Sequence, residues 1–390
     1  MEIRHRTDAG EVVIASEARI ARPSDQSEQG PLLGRHRVDA LQLRQPPLGK
    51  QPQNRRQVHR FPLRFRSPVS AAAVRRADRP PANVPDPPVP INLALGLAHL
   101  AIHLYQFFIL PLWILPASPW WALSLLPLAA LNNPLWSLLH ETIHGSFHPA
   151  ARFNRLAGRG LAILFGAPWR ILAVGHLLHH RFNRTALDRP EAYDPARAAR
   201  AAAALGYYYQ LLLGLYLSQI LSPLAFILRR RWLVWARRRY LAPESFAALA
   251  ALHLMRPQAI REIRFDGAAI GLWLAASLYG YGAYWWLALC LLAGRAACIS
   301  FLDYIYHYGT RTDQVSHARN LRLPRPFAWL LLHFNLHGVH HRHPRLPWRA
   351  LPQAFRREGH GYAGSYGPAA LAQLRGPIAL ERLRALDGDA

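Results

Sequence analysis

Lysine is all but missing: Lys50 stands alone among 47 basic residues, so arginine carries the formal charge of +25. That bias, with 32 prolines and abundant alanine, reflects genomic base composition as much as any demand for a cationic surface. A nucleic-acid binder would place basic residues on a folded module with interleaved aromatics. Here they gather before residue 85 and between apolar runs, so no nucleic-acid partner is expected. Thiols are as scarce. Cys290 and Cys298 share one apolar stretch, make neither a CxxC pair nor a disulfide framework, and read as small buried apolar residues.

Charge, too, is absent over long stretches. Ile91–Leu115 and Trp120–Leu139 are nearly uncharged, as are Ala202–Leu228 and, apart from Arg295 and Asp303, Ala268–Ile305. About 20 apolar residues suffice to cross a bilayer's hydrocarbon layer, and a globular core has no use for several such runs. The mean hydropathy of −0.02 averages them with a very polar N-terminal region. The pattern predicts an all-α, polytopic membrane protein. Ile91–Leu115 and Trp120–Leu139 form one transmembrane hairpin around Pro116–Pro119. Ala268–Ile305 is too long for a single crossing and holds Tyr279-Gly280-Tyr281-Gly282, a turn signal that makes it a second hairpin. The arginine-rich flanks place the loops beside both hairpins in the cytoplasm, with a bacterial inner membrane as the expected location. A crossing at Ala202–Leu228 would carry Arg229–Arg231 and Arg237–Arg239 outward against that rule. This segment is therefore expected at the cytoplasmic interface or as a re-entrant piece. Trp120, Trp121, Trp285 and Trp286 sit near the turns, where indoles anchor helices at the membrane boundary.

Three regions follow. Residues 1–85, rich in Arg, Gln, Pro and Ser, are expected to be disordered, or to stem from a start assigned too early, the true one lying near Val69. Residues 86–365 form the membrane domain, and 366–390 a C-terminal tail.

Histidine is what the chain has in quantity. Eight of the 20 fall in three groups: His140-Glu141-Thr142-Ile143-His144, His176-Leu177-Leu178-His179-His180 and His337-Gly338-Val339-His340-His341. His307, ending the last apolar run, is a ninth candidate. Spacings of three and four put the imidazoles of each group on one helix face. Neutral imidazole suits iron, zinc and copper. One zinc takes three or four protein ligands, so eight or nine histidines without thiolates suggest two metal ions. A single histidine is more often a satisfied core or surface residue; three groups beside apolar segments are not explained that way. His140-Glu141-Thr142-Ile143-His144 also fits the HExxH of zinc proteases, with Glu141 as general base. Such a site needs one further ligand and leaves two HxxHH groups without purpose. Asp188, Glu191 and Asp194 follow the second group, where carboxylates either orient imidazoles through their N–H groups or remain solvated loop charges. His99 and His103 are read as packing or lipid-headgroup contacts, and His148, His333 and His343 as bystanders or supports behind the ligands. Nothing recommends His317 or His360.

In order and separation, the three groups resemble the histidine boxes of the membrane fatty acid desaturase superfamily, whose relatives include carotenoid ketolases and hydroxylases. The likeness covers about residues 90–355. It takes in Gly145-Ser146, Asp188-Arg189-Pro190-Glu191, Tyr306-His307-Tyr308-Gly309-Thr310, Asn335 and Pro344 with Leu346-Pro347-Trp348. The resemblance implies a di-iron centre in a cytoplasmic cap, held by the eight boxed histidines and His307. It places Asn335 near one metal, through water. It makes 86–365 a catalytic domain that introduces a double bond into a lipid acyl chain with O2 as co-substrate. Carotenoid ketolation or hydroxylation is the alternative within the superfamily, and intramembrane zinc proteolysis a distant one. The sequence shows no haem-attachment motif, cysteine cluster or Gly-rich flavin fingerprint. Electrons are thus expected from a separate acidic carrier such as a ferredoxin, docking on the basic cytoplasmic face.

Overall fold

The computed structural model describes residues 84–359 and 361–388. The N-terminal region expected to be disordered lies outside them but for residues 84 and 85, as does His360. Helix α1 (Val89–Ile114) begins with proline in its first turn, where no donor is lost, and widens to π geometry over Tyr105–Ile114 around Pro111. Helix α2 (Pro119–His144) returns beside it and stops at Gly145, whose φ of +77° supplies the left-handed cap. Helices α3 (Ala151–Phe165) and α4 (Trp169–Phe182) meet at 101° around Gly166.

Helix α5 (residues 200–225), α6 (Arg230–Tyr240) and α7 (Phe246–Leu254) then cover one side before α8 (Pro257–Tyr281) and α9 (Trp285–Asp303). With their links, α8 and α9 make a helical run of 50 residues. Straight, it would reach about 75 Å, far more than a bilayer. Gly282, at φ +51°, interrupts it where the sequence signalled a turn. Phe107 of α1 meets Trp273 of α8 at 6.2 Å and the Arg295 guanidinium of α9 at 4.8 Å. Residues so far apart in the run share one neighbour only if α9 lies alongside α8.

Among the described residues, three helical runs are long and apolar enough to cross a membrane, or four if α3–α4 is one bent span. Ala202–Leu228 is not among them. Helix α5 leans instead on α9 and α3, its Tyr216 N–H donating to Ser300 Oγ and its hydroxyl to the Phe165 carbonyl. Trp120, Trp121, Trp285 and Trp286 are exposed at the two turns, as boundary anchors would be. The two cysteines are free but not buried as expected: Cys290 faces outward and Cys298 is intermediate. A lipid-facing helix side has no need to bury them.

Leu135, Leu138, Leu139, Phe165, Val339 and Trp348 form the core that joins α2 and α3 to the third histidine group. The C-terminal tail is tied into the cap. Its β2 (Ile378–Ala379) pairs in parallel with β1 (Ala192–Tyr193), and Tyr207 and Tyr308 donate to the Gln373 and Gly376 carbonyls.

Candidate metal centre

All nine candidate histidines converge. Helix α2 supplies His140 and His144 from its last turn, α4 supplies His176, His179 and His180, and His307 follows α9. The third group sits on α10 (His337–Arg342). Gly338 lets this short helix come close, since a Cβ there would lie 2.5 Å from the Ala318 carbonyl. The Val339 N–H is held at 3.0 Å by Asn320 Oδ1.

The nine form two clusters: His140, His144, His176, His180 and His340; and His179, His307, His337 and His341. In each, the potential ligand atoms lie within 4.8 Å of one another. Neighbours on a helix point about 100° apart, so His179 and His180 diverge into different clusters, as do His340 and His341. Each HxxHH helix thereby serves both sites. The clusters abut where His180 stacks on His341, ring centroids 4.3 Å apart.

Hydrogen bonding shows what the centre is built to hold. His144, His176, His180 and His340 form a chain of Nε2–Nε2 contacts of 2.9, 3.0 and 3.0 Å. His179, His307, His337 and His341 form another, of 3.2, 3.1 and 3.1 Å. A neutral imidazole carries one proton, so four nitrogens in a row make at most two hydrogen bonds and leave one contact unmet. Both nitrogens of the buried His140 lack a hydrogen-bond partner, the Glu141 carboxylate lying 3.9 Å from Nδ1. At four of these rings protonation is disfavoured: burial, followed by the neighbouring imidazoles, holds His340 and His341 well below the ordinary imidazole range, and burial does the same to His307 and His337. The residues fit a cation in each cluster. With imidazole–metal bonds of about 2.1 Å, adjacent ligands of five- or six-coordinate geometry lie about 3.0 Å apart, as observed. Five donors in one cluster also exceed what tetrahedral zinc takes.

Of the carboxylates picked out by sequence, Asp188 has the expected contact: His179 Nδ1 donates to Oδ2 at 2.6 Å, turning Nε2 toward the second cluster. Glu191 does not touch a histidine. It is fully buried against Arg184 at 2.7 Å and accepts from the Tyr304 hydroxyl at 2.7 Å. Asp194 pairs with exposed Arg197. Asn335 is buried; its Nδ2 donates to the Leu321 carbonyl while Oδ1 has no hydrogen-bond partner. Glu141 is turned away from the role of a protease base, since its Oε2 accepts the Trp348 N–H at 3.1 Å. His99, His103, His148, His317, His333 and His343 lie outside the clusters, as expected. Asp188→Asn should weaken metal retention by roughly 10–100-fold, the usual cost of losing such an orienting partner. Metal per protein after dialysis against a chelator measures this, and unaltered retention would show the contact to be dispensable.

An apolar route to the centre follows from an acyl substrate, but sequence reasoning missed the residues that wall it. About 690 Å³ of mostly apolar space, walled by α5–α7 through Leu211, Phe226, Leu233 and Phe246, ends on His176, His179, His307 and His337. That is ample for a small lipid or terpenoid group. No motif marks these walls.

Apolar helices carrying a paired histidine centre at the end of an apolar cavity define a membrane metalloenzyme. Residues 118–370 match the fatty acid desaturase family, to which the chain belongs. It is similar to the beta-carotene ketolase of Paracoccus sp. (strain N81106 / MBIC 01143), 27% identical over 263 residues, 65% of this chain and 86% of the relative. No solved structure matches. Family and relative alike make the protein an oxidoreductase.

Proposed function

We propose that this protein is a dioxygen-dependent di-iron oxidoreductase that oxidises a methylene of an apolar lipid, and that its substrate is a carotenoid end ring. One observation carries the oxidoreductase proposal: the apolar cavity ends on histidines of both clusters. Support for the carotenoid comes from a likeness that runs over 86% of a beta-carotene ketolase. Oxidation of an acyl chain to an alkene, the expectation from the superfamily as a whole, is the second reading, favoured by the family match. The ligands suit both, because substrate placement decides whether oxygen is inserted or hydrogen removed.

Iron ions in the two clusters would supply activation of dioxygen, with electrons from a separate acidic carrier. The chain's own part is placement. The cavity walls hold the substrate against the centre and exclude water, Asp188 fixes the His179 ring, and the Glu141–Trp348 contact ties α2 to the segment after α10. Two transmembrane hairpins, with the centre in a cap on the cytoplasmic face of a bacterial inner membrane, agree with the arginine-rich loops.

Expression in a β-carotene-producing host, against His140→Ala, tests the substrate. Pigment heavier by one oxygen and lighter by two hydrogens, absorbing at longer wavelength, is expected only with the intact protein. Acyl chains lighter by two hydrogens beside unchanged pigment would replace the ketolase with a desaturase.

A further inference from the structure

Helix α6 reads Arg230-Arg231-Trp232-Leu233-Val234-Trp235-Ala236-Arg237-Arg238-Arg239-Tyr240, and only Leu233 is buried. Its exposed face interleaves aromatic rings with guanidinium groups. Trp232, Trp235 and Tyr240 are all exposed and meet edge to face in sequence. Arg231 and Arg239 lie against the rings of Trp232 and Tyr240. Among the described residues, arginine ion pairs form elsewhere and include none of residues 229–231 or 237–239. Arg230 and Arg237 direct their Nε atoms to the Met255 and Ala248 carbonyls.

The level of α6 is set by α8. Arg264 donates to the Phe226 and Leu228 carbonyls immediately before α6. The charges of α8 end at Asp266, and its uncharged course runs from Gly267 onward. Helix α6 therefore sits where α8 would leave the hydrocarbon layer. Leu233, Ala236, Arg237 and Tyr240 also line the cavity that leads to the histidines.

We propose that α6 is an interfacial helix that seats among anionic lipid headgroups and forms, with α7, the rim through which substrate enters from the bilayer. Indoles favour the membrane–water boundary, and clustered arginines are drawn to anionic headgroups. A soluble acidic partner would satisfy the arginines but not the exposed indoles. The entry route rests on the lipid substrate proposed above; the seating of the helix does not.

The test uses full-length Cys290→Ser, Cys298→Ser, Trp235→Cys protein, spin-labelled at position 235 in discs of phosphatidylcholine with or without phosphatidylglycerol. With phosphatidylglycerol, the label is expected to collide more with oxygen than with an aqueous nickel chelate. Turnover of the unlabelled protein should be several-fold faster in those discs. Arg238→Gln with Arg239→Gln should remove that dependence and leave turnover in neutral discs unchanged. A label open to the nickel chelate in both kinds of disc overturns the proposal. So does protection that appears only when an acidic electron carrier is added. Because the label reports without turnover, an error in the substrate would leave its result intact.

Discussion

Replacing His340 by alanine is expected to abolish turnover and to empty the five-histidine cluster of iron. His340 Nε2 lies 3.0 Å from His180 Nε2, and its ring centroid is 4.4 Å from that of His140. It comes from the third sequence group, whereas its cluster partners come from the first two, so its loss removes the link that brings α10 to α2 and α4 at this site. The effect should exceed the roughly 10–100-fold cost of losing an orienting partner. His333→Ala is the matched control. That residue is near in sequence and half-buried, but its ring lies against Trp348 outside both clusters. Iron per protein and turnover measured on both variants decide the matter. A His340→Ala enzyme with full iron and activity would remove His340 from the ligand set.

The histidine groups were legible because helical spacing alone aligns residues three and four apart, and because the groups border apolar runs. Their division into two clusters was not. It depends on the 100° between consecutive residues and on how α4 and α10 face each other, which no one-dimensional pattern contains. The long apolar helices and the turn at Gly282 could be read from composition and glycine. The walls of the cavity could not, because α5–α7 carry no motif and their standing over the centre is a matter of tertiary packing. Asp188 and Glu191 looked alike on the page, two carboxylates just past the second group. They differ only in what the returning chain brings: His179 turns its Nδ1 to Asp188, while the loop curls so that Arg184, at φ +65°, meets Glu191.

That second contact carries a large consequence for stability. The Arg184–Glu191 pair is wholly buried. Arg184 also donates to the Tyr304 hydroxyl at 3.0 Å and to the Thr310 carbonyl at 2.7 Å, on either side of His307. The Glu191 carbonyl accepts the Ile378 N–H at 2.7 Å, which fastens the C-terminal strand. Glu191→Leu should therefore cost about 3–5 kcal/mol, the penalty for leaving a buried charge unpaired, and should loosen His307 and with it the four-histidine cluster. Arg184→Met combined with Glu191→Leu removes both charges and should recover much of that stability, because two apolar side chains of similar size carry no unpaired charge. Thermal inactivation half-life and iron content, followed across the two variants and the unaltered protein, separate the effects. If the double variant proved as unstable as Glu191→Leu, losing the bonds that Arg184 makes to Tyr304 and Thr310 would cost as much as stranding its charge. The pair would then act as a fastener for the His307 segment, and iron would be lost from the four-histidine cluster before the five-histidine one.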